Sequence, residues 1–281
     1  MKFLARFRGL PQVARQEFWL NLRSVRFLIM TALLALVVVG GGYGVSGITS
    51  TGGPTPLPVG PDLAIFFMTT FVSLIVPIFS IVIAFDAVSK ERVQGTLDLL
   101  LSRPVTKVGV VLGKFLGAFA AVAFPVLLVL PAGLGVVSAR TGQSPSGAFA
   151  ATFLGMTLLL IAYYVLIQMI FSSLARTGGT AVLYGVLVWL LLNVLYGIVT
   201  LVLGLVFFSD PASRADFDRA ATLGNPGGIA SNLIFSQAPA GIRRFLQNAA
   251  LDPTVAAVAA IVWFVVLLSL TLWTFSKKAV E

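Results

Sequence analysis

Six long apolar stretches, each without a charged residue at its centre, dominate this sequence. They cover about residues 27–45, 63–85, 108–137, 148–174, 181–208 and 253–275. A helix needs about 20 mostly apolar residues to cross the hydrocarbon core of a bilayer. Only 10% of the 281 residues are charged, too few to cover the surface of a soluble domain. The pattern predicts an all-α integral membrane protein in which residues 1–281 form one domain with six transmembrane helices.

The lysines and arginines are divided unevenly between the two sides of these predicted spans. If both termini are placed in the cytoplasm, most of the 19 basic residues fall on the cytoplasmic side, where such residues concentrate in membrane proteins. We therefore expect a multi-pass protein of the cytoplasmic (inner) membrane with cytoplasmic N and C termini. Anionic lipid headgroups account for the positive charge, so we expect a lipid partner and no nucleic acid.

The residues before the first span, 11–26, carry an amphipathic pattern. Ala14, Phe18, Leu22 and Val25 share one face at helical spacing, and basic residues lie opposite. This predicts an interfacial elbow helix that leads into the first span.

Two longer segments lie on the predicted outer side. Residues 46–62 are rich in glycine and proline and show no helical or strand period, which predicts an irregular loop. Residues 209–252 have mixed polarity, and their apolar residues predict one or two short helices lying at the outer surface. Those apolar residues are Ile229, Leu233, Ile234, Ile242 and Phe245.

Several kinds of chemistry are excluded by composition. The chain has no cysteine and no histidine, which removes thiolate and imidazole metal sites and the common catalytic triads and dyads. Four methionines, Met30, Met68, Met156 and Met169, lack the close spacing of copper(I) ligands and are predicted to fill the core. We expect no catalytic residue, metal site or cofactor on this chain.

Two glycines at the start of the third span admit two interpretations. The run from Gly109 to Phe115 has the wrong spacing for a phosphate-binding loop, so we expect Lys114 to reach towards the inner headgroups. Gly113 and Gly117 have the spacing that lets two membrane helices approach closely. Simple tolerance of glycine, in a chain with 27 glycines, is the alternative.

Four polar residues in the spans are candidates for a translocation path: Thr70, Ser73, Gln168 and Asn193. Hydrogen bonding between helices is the alternative role for them, and the sequence favours it for Gln168 and Asn193.

The predicted cytoplasmic loop 86–107 is the least ordinary segment. Leu97, Leu99, Leu100 and Leu101 are too apolar for open cytosol, and charged residues surround them. Such a cluster indicates either a docking surface for another protein or a surface helix whose leucines enter the lipid.

A short motif runs through this loop and into the next span: Glu91, Gly95-Thr96-Leu97, Leu100-Leu101-Ser102, Pro104-Val105 and Gly113-Lys114. These residues resemble the signature loop of ABC type-2 export permeases. The resemblance implies a coupling helix between spans 2 and 3 that contacts a separate ATP-binding subunit. The implied contact residues are Glu91, Gly95, Thr96, Leu97, Leu100, Leu101 and Pro104. Within that family, Ala84-Phe85-Asp86-Ala87 and Asn225-Pro226 are similar to the nitrous-oxide-reductase maturation (NosY-like) permeases.

The resemblance implies a function for the whole chain. It would be the permease subunit of an ATP-binding-cassette exporter, with two permease copies and two ATPases, and with ATP and magnesium bound by the partner. A secondary transporter or channel is an alternative, although ion-coupled carriers usually hold ionisable residues at mid-membrane. A non-transporting membrane scaffold is a further alternative.

Overall fold

A computed structural model describes residues 9–50, 61–89, 106–245 and 251–278, and the regular structure in these residues is helical. Six of the described helices are long and apolar enough to cross a membrane. The predicted all-α fold class with six candidate spans is therefore confirmed.

In chain order, the described helices run from α1 to α12. Helix α1 (Leu10–Leu22) precedes the first span, which consists of α2 (Val25–Ala35), a π-helical turn (Leu36–Gly40) and α3 (Gly41–Ser50). The second, third and fourth spans are α4 (Pro61–Ala84), α5 (Lys107–Thr141) and α6 (Gly147–Leu174). The fifth consists of α7 (Gly178–Leu190), a π-helical turn (Leu191–Leu195) and α8 (Tyr196–Phe207). Then come α9 (Pro211–Leu223), α10 (Pro226–Ser236), α11 (Ala240–Phe245) and the sixth span, α12 (Pro253–Lys278).

A serine separates α1 from the first span. The Ser24 hydroxyl accepts a hydrogen bond from the Phe27 amide (3.2 Å) and donates one to the carbonyl of Asn21 (2.7 Å). Ser24 is thus the N-cap of α2, a common position for serine, and it also bonds to the last turn of α1. The predicted helix over 11–26 therefore ends at Leu22, and Val25, which we had placed on its apolar face, is 69% exposed in the first span.

The core of the bundle lies where α4, α5 and α6 pack together. Its largest fully buried side chains include Phe79, Leu130, Phe149, Tyr163 and Tyr164. The fifth span is different, because few of its residues are buried. Its exposed large apolar residues include Leu183, Leu187, Leu191, Leu195, Val199, Val202 and Val206.

The outer segment differs from the prediction. Its described residues, 209–245, form three helices, and α10 packs against α4, α6 and α12 rather than lying at the surface. Ile229 and Ile234 of α10 are 0% and 4% exposed. The same apolar spacing suits a surface helix or a buried one, so the sequence did not distinguish them. Helix α3 also continues to Ser50, so residues 46–50 are helical and not part of an irregular loop as predicted. Residues 51–60 of that predicted loop lie outside the described residues.

Candidate functional site

The two helix ends that flank the predicted coupling segment lie at the same end of the bundle. The contact residues expected from the resemblance, Glu91, Gly95, Thr96, Leu97, Leu100, Leu101 and Pro104, lie outside the described residues. The flanks are described on both sides, where α4 ends and α5 begins. Their contacts show how this segment enters and leaves the bundle.

The entry side is held by a serine from the fourth span. Ser172, in the last turn of α6, is fully buried, and its hydroxyl oxygen accepts hydrogen bonds from the amides of Val88 (3.0 Å) and Ser89 (3.1 Å). The Ser89 hydroxyl donates to the carbonyl of Phe85 (3.2 Å). Buried amides need partners, and here one side chain from another helix supplies the acceptor for two of them. The turn after α4 is thereby fixed to α6.

The first and fifth spans also meet at this turn. Arg26, at the start of α2, forms an ion pair with Asp86 (3.2 Å), and its guanidinium group lies 4.5 Å from the centre of the Phe85 ring. A Cβ atom at Gly178 would lie 3.2 Å from a carbon of the same ring. Phe85 therefore packs against the starts of α2 and α7.

The exit side is fixed by close packing between α1 and α5. A Cβ atom at Gly113 would lie 2.7 Å from the Cβ of Val13, and one at Gly117 would lie 2.5 Å from the Cβ of Glu17 and 2.7 Å from the carbonyl oxygen of Ala14. Real Cβ atoms do not approach so closely. The two glycines therefore allow a close helix approach, and the helix they admit is α1.

An ion pair reinforces the same contact. The ammonium group of Lys114 lies 2.6 Å from the carboxylate of Glu17, and the two side chains are 1% and 17% exposed. The prediction that Lys114 reaches towards lipid headgroups is therefore wrong. Lys114 lies between Gly113 and Gly117 on the face of α5 that α1 covers, so its charge meets Glu17 instead.

The two polar residues of the fourth and fifth spans make hydrogen bonds between those spans. The amide nitrogen of Gln168 donates to the carbonyl of Ala181 (2.9 Å), and Gln168 is fully buried. Asn193 donates to the hydroxyl of Tyr164 (2.6 Å) and to the carbonyl of Trp189 (3.1 Å). These contacts agree with the interhelical role that the sequence favours for both residues.

The two hydroxyl residues of α4 face different surroundings. Thr70 is exposed, whereas Ser73 lines a cavity of about 10 Å³ between α4, α6 and α10, together with Thr69, Thr157 and Ser231. A space of this size holds about one water molecule. Of the four path candidates, only Ser73 lines this cavity.

Nearly the whole chain is similar to one family of known proteins. The profile of the family described as "ABC-2 family transporter protein" matches residues 12–280. This chain belongs to the ABC-2 transporter family. The family that the loop motif predicted for this chain is thus confirmed.

Two relatives of this ABC-2 family member carry the name "Probable ABC transporter permease protein NosY". The one from Pseudomonas aeruginosa is 26% identical over 193 residues, which cover 67% of this chain and 68% of the relative. The one from Stutzerimonas stutzeri is 27% identical over 200 residues, which cover 68% and 69% of the two chains.

Sequence reasoning missed two residues at this end of the ABC-2 protein. Ser172 looks like one more hydroxyl near the end of a span, and Glu17 like a solvated charge of an amphipathic helix. One signal was available for Glu17. Glu17 lies on the same helical face as Ala14 and next to Phe18. If another helix covers that face, the carboxylate needs a charged or polar partner.

Proposed function

We propose that this chain is the membrane-spanning permease subunit of an ATP-driven transporter. A separate ATP-binding subunit holds ATP and magnesium, hydrolyses the nucleotide and moves the segment 86–107. Membership of the ABC-2 family and the names of the two relatives support this assignment. The permease itself performs no hydrolysis. Its part is to convert movement at one end of the bundle into a path across the membrane.

The observation that carries this proposal is the double anchoring of the segment's flanks. On the entry side, Ser172 holds the amides of Val88 and Ser89. On the exit side, the chain continues directly into α5, a helix of 35 residues to which α1 is joined by the Lys114–Glu17 ion pair. Coupling between distant sites travels through packed and hydrogen-bonded elements. A displacement of residues 90–105 would therefore be transmitted to the fourth span through Val88 and Ser89, and to the third span through the start of α5.

Orientation follows from the charges and from α1. We place the anchored end, with both termini, in the cytoplasm and the protein in the cytoplasmic (inner) membrane. Trp19 and Leu20 of α1 are 45% and 59% exposed, and Arg15 and Arg23 lie on the same outward side. A mixture of aromatic, aliphatic and basic side chains suits the headgroup boundary of a bilayer, which supports the elbow role of α1. Outward transport is assigned by the likeness to export permeases.

A second copy of the chain completes the proposed assembly. The fifth span presents large apolar side chains over most of its surface, and its central residues Leu187, Leu191 and Leu195 are 51%, 52% and 46% exposed. Contact between the fifth spans of two copies would cover part of this surface. The resulting complex contains two permeases and two ATPases, one seated on each 86–107 segment.

Co-purification tests the proposal. The chain is co-expressed with each ATP-binding-cassette subunit of its source organism that lacks a membrane domain. It is used unchanged, with Glu91→Lys, or with Asp216→Lys as a matched charge reversal in α9. We expect the unchanged chain and Asp216→Lys to retain the ATPase, and Glu91→Lys to lose most of it. Retention by Glu91→Lys at the unchanged level would refute the contact. Failure of the unchanged chain to bind any ATPase would favour a secondary transporter, a channel or a scaffold.

A further inference from the structure

The fifth span contains a π-helical turn, and a side chain from the outer segment is bound to it. In an α-helix the amide of Tyr196 would donate to the carbonyl of Leu192, four residues earlier. Here it donates to Leu191, five residues earlier. The carbonyl of Leu192 accepts instead from the side-chain nitrogen of Asn225, at 2.7 Å. Inside a membrane, a backbone carbonyl displaced from its helical partner needs a replacement, and Asn225 provides one.

The oxygen of the same Asn225 side-chain amide caps the N-terminus of the outer helix α10. The side-chain oxygen of Asn225 accepts from the amides of Gly227 (2.9 Å) and Gly228 (3.3 Å). This is an N-cap, a role for which asparagine, aspartate and serine are all well suited. Asn225 thus uses its oxygen within α10 and its nitrogen on the fifth span.

Polar contacts near this turn tie the fifth span to its neighbours. Trp189 donates to the carbonyl of Leu74 in α4 (3.1 Å), and Tyr196 donates to the carbonyl of Ala221 in α9 (2.5 Å). The bond from Asn193 to Tyr164 adds the fourth span. Apolar burial contributes little over most of the span, and its buried residues are Ala181, Gly185 and Gly204. The hydrogen bonds between residues 189 and 196 fix the middle of the span to α4, α6 and α9, and Gly204 lies against α9 further out.

We propose that Asn225 is a positioning residue that fixes the outer half of the fifth span to α10 through the π-helical turn. The turn is the hinge of the span, and Asn225 sets the angle at which α8 leaves it. Because α10 packs against α4, α6 and α12, the side chain links the least buried span to the core of the bundle. Its transport consequence rests on the proposed function: α10 and α8 would move together when the outer side opens.

Two substitutions keep the N-cap of α10 and remove the hydrogen bond from residue 225 to Leu192. Asn225→Asp and Asn225→Ser both keep an oxygen for the amides of Gly227 and Gly228. Aspartate at neutral pH has no hydrogen to donate to Leu192, and serine is too short to span the same distance. A control, Thr222→Val, removes a hydroxyl that, among the described residues, bonds within α9 to the carbonyl of Asp218 (2.8 Å).

Distances between spin labels measure the effect, and the absence of native cysteines makes the labelling unique. One pair, Val206→Cys with Ala139→Cys, compares the outer ends of α8 and α5. The other, Leu183→Cys with Lys107→Cys, compares the inner ends of α7 and α5. Labelled chains are reconstituted in lipid nanodiscs with an excess of unlabelled chain, without any ATPase, and examined by pulsed electron paramagnetic resonance.

We expect both Asn225 variants to shift or broaden the outer distance distribution and to leave the inner one unchanged, while Thr222→Val changes neither. An unchanged outer distribution would overturn the proposal, and so would equal broadening of both pairs, because that would indicate general loosening. The measurement needs no ATPase, so its result is independent of the co-purification test. A shifted outer pair would support the link through Asn225 even if no ATPase bound the chain.

Discussion

Lys114 and Glu17 form an ion pair with a nitrogen–oxygen distance of 2.6 Å across the contact between α5 and α1. The lysine side chain is almost completely buried, and Gly113 and Gly117 on either side of it allow α1 to approach closely. A charge inside a low-dielectric region is stable only beside an opposite charge. The pair therefore holds α1 against the helix that follows the proposed coupling segment.

Removing one member of this pair should destabilise the protein. Lys114→Met takes the ammonium group away from Glu17, and breaking a buried ion pair in this way costs about 3–5 kcal/mol. Unfolding in a detergent–denaturant titration measures the change. The double variant Lys114→Met/Glu17→Leu should recover most of the loss, because the carboxylate that lost its partner is removed as well. Equal destabilisation in the single and double variants would contradict the assignment.

The close approach of α1 gives a second prediction, with a control in the same helix. Gly117→Val should destabilise the protein by about 1–3 kcal/mol, because the new side chain overlaps Glu17 and Ala14. Gly135→Val places the same residue in α5 where, apart from α5 itself, no described atom lies within 4 Å of the added Cβ, and it should have little effect. Thermal unfolding of the two variants decides the matter. A similar effect for both would mean that helix propensity, and not the contact with α1, sets the result.

The serine anchor makes a local prediction. Ser172→Ala removes the acceptor for the amides of Val88 and Ser89, and an unsatisfied buried amide costs about 1–3 kcal/mol. Hydrogen exchange at these two amides should therefore become roughly tenfold faster or more. Ser173→Ala is the control, because that hydroxyl bonds to Met169 within its own helix. Unchanged exchange in Ser172→Ala would show that the turn is held by other contacts.

A substitution at Gln168 distinguishes a structural role of this residue from a role in lining the translocation path. Gln168→Leu loses the hydrogen bond to Ala181, and such bonds in membrane bundles contribute about 0.6–2 kcal/mol. We expect a stability loss in this range with unchanged transport specificity in reconstituted vesicles. An altered substrate profile at unchanged stability would instead assign Gln168 to the path.

The sequence predicts well what depends on neighbouring residues. Hydropathy within a window of about 20 residues reveals a membrane helix, so all six candidate spans were predicted. The helix start at Thr106, whose hydroxyl accepts from the amide of Gly109, also agrees with the predicted start of the third span near residue 108. The loop motif indicated the family because its residues lie close together in the chain.

Contacts between distant residues were the part that the sequence could not supply. Glu17 and Lys114 are 97 positions apart, and nothing near Lys114 indicates its partner. Asn225 was singled out with Pro226 for its resemblance to one group of permeases, but its bond to Leu192 depends on a π-helical turn that hydropathy does not reveal. The burial of α10 was missed for the same reason, since an apolar face does not specify what covers it.

In the proposed function, a separate ATPase acts on this bundle through residues 86–107. The most direct measurement is the ATP hydrolysis rate of the partner subunit in lipid nanodiscs, alone, with the unchanged permease, and with Gly95→Trp. We predict that the unchanged permease raises the rate severalfold, that Gly95→Trp does not, and that the permease alone hydrolyses no ATP. Hydrolysis by the permease alone, or equal stimulation by Gly95→Trp, would contradict the account.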